Sequence, residues 1–169
     1  MERIVIADKD LHSREIRLLF LEYLVWAASR VLSDFGWNVS ADEIVERDMV
    51  SLDKFMPQNG RLLIAFVDEA PVGIACLKEL TGDIGEIKRM YIQPALRGRV
   101  IGKALLLKLI DEALTIGYTC LRLDSASFMT EAHNLYHSLG FSEIGPYEGS
   151  EIPKEFQHHW VFMEKQLAR

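Results

Sequence analysis

Residues 97 to 103, Arg-Gly-Arg-Val-Ile-Gly-Lys, place three bases and two glycines within seven positions, where an apolar-periodic stretch begins. A helix N-terminus carries free backbone N–H donors and a partial positive charge, so a turn of this kind suits a phosphate or pyrophosphate. Gly98 and Gly102 let a ligand approach the backbone, and Arg97, Arg99 and Lys103 supply charge. A nucleotide-binding module is the rival reading. Against it, the chain has no Walker Gly-Lys-Ser/Thr and no Gly-x-Gly-x-x-Gly after its first strand.

Other reactive side chains are sparser. His133 and His137 stand four apart, but no Glu follows His133 and no third ligand is evident, so they read as surface histidines and no metal is expected. The His158-His159 pair is weaker still. Cys76 and Cys120 lie inside apolar runs and read as buried, reduced thiols.

The elements that hold the basic turn follow from patterning. Arg3–Ala7 is a short strand, with Asp10 as the expected N-cap of a helix over Leu11–Leu32. Ser40-Ala-Asp-Glu43 is a capping box that starts a second helix near Ala41, ending before Pro57. Strands over 61–68, 72–80 and 84–92, joined by short turns, predict an antiparallel meander. Then come a helix over Ile101–Ile116 closed by Gly117, a strand Cys120–Ala126, and a helix Thr130–Leu139 closed by Gly140. Strands Phe141–Ile144 and Trp160–Lys165 complete the order, with a long connection from Gly145 to His159. Strand and helix alternating after a meander requires some parallel pairing. The fold class is therefore mixed α/β (α+β), in the order β-α-α-β-β-β-α-β-α-β-β, as one domain over residues 1–169.

Composition fits. Of 169 residues, 49% are apolar and 26% charged, enough for a core without disulfide or metal staples. The longest apolar run, Leu62–Val67, is far too short for a membrane span. The first residues lack the pattern of a secretory signal, so a cytoplasmic location is expected. A net charge of −6 argues against nucleic acid or anionic lipid as partners, although it allows a small basic pocket.

Taken together, Arg97-Gly-Arg-Val-Ile-Gly102 and the later Ala132-x-x-Leu-Tyr136-x-x-x-Gly140-Phe141 resemble the acetyl-CoA signature of the GNAT-type N-acetyltransferases, (Gln or Arg)-x-x-Gly-x-(Gly or Ala) at a strand-to-helix turn. The likeness spans the chain in element order and is specific over residues 84 to 141. It implies direct acetyl transfer from acetyl-CoA to a small-molecule amine or peptide acceptor, with a homodimer left open. It implies that Met90 and Ile92 pair their main chain with pantetheine, and that Arg97, Gly98, Arg99, Val100, Ile101, Gly102 and Lys103 hold the phosphates. Glu86, six residues before Ile92, is the implied base, and alternation would put 86, 88, 90 and 92 on one strand face. Tyr136 is the implied proton donor to the thiolate. Glu148, Glu151 and Glu155 would border the acceptor site and attract a cationic amine. Two positions depart: Val100 stands where the signature has Gly, which is harmless only with helical dihedrals, and Met129 stands where many members have Asn. These departures favour the alternative, a non-catalytic acyl-CoA-binding sensor.

Overall fold

The computed structural model describes residues 1–98 and 100–168. Seven strands form one sheet: β1 (Glu2–Ile6), β2 (Arg61–Val67), β3 (Ala70–Thr81), β4 (Ile84–Ile92), β5 (Cys120–Ala126), β6 (Ser142–Ile144) and β7 (Trp160–Gln166). Their spatial order is β1-β2-β3-β4-β5-β7-β6, and every pairing is antiparallel except β4 with β5. Helices α1 (Ser13–Phe35) and α2 (Ala41–Val50) cover one face; α3 (Ile101–Ile116) and α4 (Thr130–Ser138) cover the other.

The central strands are apolar on both faces because both are covered. Along β2, Leu62 and Ile64 pack with Ile16, Leu19, Phe20 and Phe55, while Leu63 and Ala65 pack with Leu105, Leu106 and Leu109. Leu105, Leu106 and Leu109 of α3 are fully buried, each worth about 1.5–3 kcal/mol of apolar transfer. That anchorage fixes where the first turn of α3 points.

The capping signals resolve differently at the two N-terminal helices. Ser40 Oγ accepts from the Glu43 N–H at 3.2 Å, as the capping box predicts. Asp10, however, does not cap α1. Asp8 Oδ1 accepts from the N–H groups of Asp10 and Leu11 at 2.8 and 2.9 Å, closing a side-chain turn that delays the helix to Ser13. An Asp that satisfies backbone donors locally competes with helix initiation.

Two irregularities in β4 shape everything downstream. First, β4 pairs with β5 only at Ile84, Gly85 and Glu86; beyond them the parallel strands part. Second, the register with β3 slips by one residue between Lys88 and Tyr91, a bulge in which Arg89 takes a φ of +53°. The expected single face for 86, 88, 90 and 92 is therefore wrong. The extra residue moves Met90 and Ile92 to the α3 side with Ile87, while Glu86 and Lys88 lie on the opposite side.

Candidate active site

Where β4 and β5 separate, a cavity of about 630 Å³ opens between the carboxyl ends of two parallel strands, the usual ligand position in sheets containing such pairs. Its walls come from α1, α2, the ends of β4 and β5, α4, the 145–159 connection and Trp160.

One side is built from backbone. From Ile87 to Ile92, β4 has no partner on β5, so this edge is open to an extended ligand. Met90 lines the cavity. The Ile92 carbonyl already accepts from Arg97 Nε at 3.0 Å, and the Arg97 guanidinium lies over the Trp26 ring at 5.1 Å. Arg97 thus folds back on the strand end. Gly98 has a φ of +79°, which a side chain would strain. Val100 has φ −71° and ψ −2°, so the departure from Gly meets the helical condition under which it is harmless. Ile101 is buried in the core and Lys103 is exposed on the first turn. A Cβ on Gly102 would stand 3.5 Å from Leu135 and 3.7 Å from Ile92, ordinary contact, which puts this turn where β4, α3 and α4 converge. The first turn of α3 holds no acid, and its N–H groups precede the first helical bond, from Ala104 to Val100. Open edge, positive-φ glycine and donor-rich turn fit a pantetheine arm followed by phosphates. Arg99 lies outside the described residues.

The other side is built from side chains. Arg89 Nε donates to Asp48 Oδ2 at 2.7 Å and Nη1 to Glu151 Oε1 at 2.7 Å, tying α2, β4 and the 145–159 connection together. Lys88 Nζ lies 3.0 Å from Glu151 and 3.7 Å from Asp124. Burial raises the Glu151 carboxyl, but Lys88 and Arg89 outweigh it and hold the group well below the usual carboxylate range. Burial likewise lowers Lys88, and Asp124, Glu151 and Glu86 more than reverse it. Trp37, which lines the cavity, stacks on Phe156 at 4.5 Å, and Phe35 stacks on His159 at 4.2 Å.

The structure separates the residues singled out in the sequence. Tyr136 is buried and lines the cavity; burial pushes its phenol above the usual range, so it stays protonated at neutral pH. Glu86 does not line the cavity. It is 1% exposed, accepts from the Tyr147 hydroxyl at 2.7 Å and faces Lys78 at 3.6 Å. Of the three loop acids only Glu151 reaches the cavity, already paired; Glu148 and Glu155 are exposed elsewhere. Met129 also lines it, its sulfur 3.5 Å from Ser125 Oγ and accepting from the Tyr23 hydroxyl at 3.9 Å. Arg47, Lys88, Arg89, Asp124 and Ser125 line the cavity without having been singled out. For Asp124 and Ser125 a signal existed: two adjacent polar residues at the carboxyl end of a strand.

Both cysteines are free and buried. Among the described residues, no helix is long and apolar enough to cross a membrane.

Known proteins place this geometry. An uncharacterized N-acetyltransferase of Escherichia coli is 31% identical over 147 residues, covering 85% of this chain and 82% of that one. A GNAT-family acetyltransferase from Staphylococcus aureus superposes with a TM-score of 0.76 over 99% of this chain and all of that one, at 19% identity. A Salmonella typhimurium structure solved with its cofactor acetyl-CoA superposes with a TM-score of 0.66 over 99% of this chain and 94% of that one, at 22% identity. A family model described as the acetyltransferase (GNAT) family matches residues 22–141, from α1 through the second motif. The parted strands, the donor-rich turn and the cavity-facing tyrosine are thus carried by a chain that belongs to the GNAT acetyltransferase family.

Proposed function

We propose that this acetyltransferase transfers the acetyl group of acetyl-CoA to the amine of a small acceptor that also carries a carboxylate, the chemistry of an amino acid. Pantetheine would lie along the open edge of β4 at Met90 and Ile92, with the phosphates on the turn from Gly98 to Lys103. Acetyl-CoA supplies an activated thioester, and Tyr136 supplies a proton for the sulfur. In the support of a free phenol at the cavity wall lies the main objection to a non-catalytic sensor.

One observation carries the acceptor class: the charges lining the cavity. Lys88 and Arg89 are matched by Asp124, Glu151 and Asp48, leaving Glu43 and Arg47 on α2 as an acid and a base without ion-pair partners among the described residues. A volume of about 630 Å³ suits the end of a cofactor arm and a small molecule. Glu43 and Arg47 together complement a molecule bearing both an ammonium and a carboxylate. The paired Glu151 supports no surplus attraction for a purely cationic amine. Buried thiols at Cys76 and Cys120 suit the expected cytoplasmic setting.

The test is release of the CoA thiol from acetyl-CoA with each of the twenty amino acids, spermidine and a short peptide. Amino acids should turn over fastest. Arg47→Gln should raise their KM about tenfold, the loss of a charged hydrogen bond, without changing KM for acetyl-CoA. Preference for spermidine or for the peptide over every amino acid would reject the acceptor class.

A further inference from the structure

His133 is not the surface histidine its helical spacing suggests. It is half-buried, and its Nε2 lies 3.0 Å from Ser125 Oγ. Ser125 is itself buried, at the end of β5, and lines the same cavity as Tyr136. An ammonium near its free pKa of ~10 must lose protons to be acetylated at neutral pH. The carboxylates closest to the parted strands are committed elsewhere. Asp124 accepts from Ser150 at 2.9 Å and faces Lys88, Glu151 is held by two cations, and Glu86 is buried outside the cavity.

We propose that Ser125 and His133 form the proton relay for acetyl transfer, with Ser125 meeting the acceptor amine and His133 receiving the proton through it. This rests on the acetyltransferase reading above. Burial lowers the His133 pKa and His137 on α4 adds to that; Glu143 of β6 and a hydrogen bond with the Ala126 backbone oppose it without reversing it. The imidazole is therefore neutral at pH 7 and able to accept.

The acceptor gives its first ammonium proton to solvent and reacts as the free amine: its nitrogen forms its bond to the acetyl carbonyl carbon while a second proton passes to Ser125 Oγ and the Ser125 proton passes to His133 Nε2. The carbon–sulfur bond breaks with its electron pair on sulfur, which takes a proton from Tyr136. His133 then releases a proton to solvent and Tyr136 regains one, leaving an amide and a free thiol.

The tautomer of the His133 ring sets the direction of transfer. If the neutral ring carried its proton on Nε2, Ser125 would accept from His133 and donate to Met129 Sδ at 3.5 Å, and no proton could move inward. The full-length protein labelled with 15N-histidine distinguishes the two tautomers at pH 7.5, the His133 signal being the one lost in His133→Asn. An unprotonated Nε2 with a midpoint below 6.5 is expected; a protonated Nε2, or a midpoint above it, overturns the relay whatever the acceptor.

Kinetics supply the second readout, with acetyl-CoA and an equimolar mixture of the twenty amino acids. Ser125→Ala and His133→Asn should each lower kcat about 100-fold, leave calorimetric CoA binding unchanged, and abolish the acidic limb of the kcat profile. Full activity with an unaltered acidic limb would overturn the proposal. If the unsubstituted protein released no thiol with any amine, the acetyl-transfer reading would fail, and the nitrogen spectrum would still decide the relay.

Discussion

The two sides of the cavity are made of different materials. The side proposed for the cofactor consists of backbone: an unpaired strand edge, Gly98 at φ +79° and the first turn of α3. The side proposed for the acceptor consists of side chains brought from far apart, with Arg89 reaching Asp48 across 41 positions and Glu151 across 62. Backbone recognition needs few residue identities beyond glycine, so it can be written in a short motif. Charge networks need every member present, so losing one should damage the fold as well as the site.

The largest expected effect tests that claim. Arg89→Ala removes the bidentate partner of Asp48, which is fully buried and, among the described residues, keeps only Lys54 at 3.0 Å as an ion-pair partner. Leaving such a carboxylate underpaired costs about 3 kcal/mol, which lowers Tm by roughly 6–12 °C in a domain of this size. If CoA affinity, measured at a temperature where the variant is folded, fell in step with stability, the two sides would not be separable.

Next is Tyr136→Phe. Its hydroxyl is held protonated by burial, so its loss should lower kcat about 100-fold as a general acid while CoA titration stays unchanged. Equal turnover would remove Tyr136 from the chemistry.

Gly102→Asp probes the backbone side from the opposite direction. There is room for a Cβ beside Leu135 and Ile92, so the fold should hold. A carboxylate within the first turn of α3 would occupy the donors proposed to hold phosphate and repel it, weakening CoA binding by calorimetry about tenfold or more. Unaltered affinity would show that the phosphates bind elsewhere.

The same contrast explains what could be read in advance. Element order, the α3 boundary and the turn from Arg97 to Gly102 were legible because capping, periodicity and the strand-to-helix motif are local. The face carrying Met90 and Ile92 was not, because the bulge at Arg89 is a property of pairing with β3 and not of the β4 sequence alone. Glu86 satisfied the spacing for a base, yet Tyr147, 61 positions away, accounts for it in the fold. His133 and His137 have the spacing of a zinc pair but no third ligand, so the sequence leaves His133 without a role, although its partner Ser125 lies only eight residues earlier. Spacing identifies groups that share an element; it is silent on groups that meet across two.

The smallest effect concerns pH and separates the charge network from generic packing. Glu151 has a folded pKa held below its ordinary value of 4.5. A depressed carboxylate contributes stability that is present above the unfolded value and is lost as pH falls toward the folded one. Glu151→Gln should therefore be less stable than the parent at pH 7, and the gap in Tm should narrow as pH drops below 4.5, where the parent carboxylate begins to bind protons on unfolding. Because Lys88 retains Asp124 and Arg89 retains Asp48, the gap should amount to a few degrees, smaller than for Arg89→Ala. A gap that stayed constant from pH 7 to pH 3 would mean that Glu151 acts by filling space at the cavity wall, and the acceptor side would then owe less to charge than its ion pairs suggest.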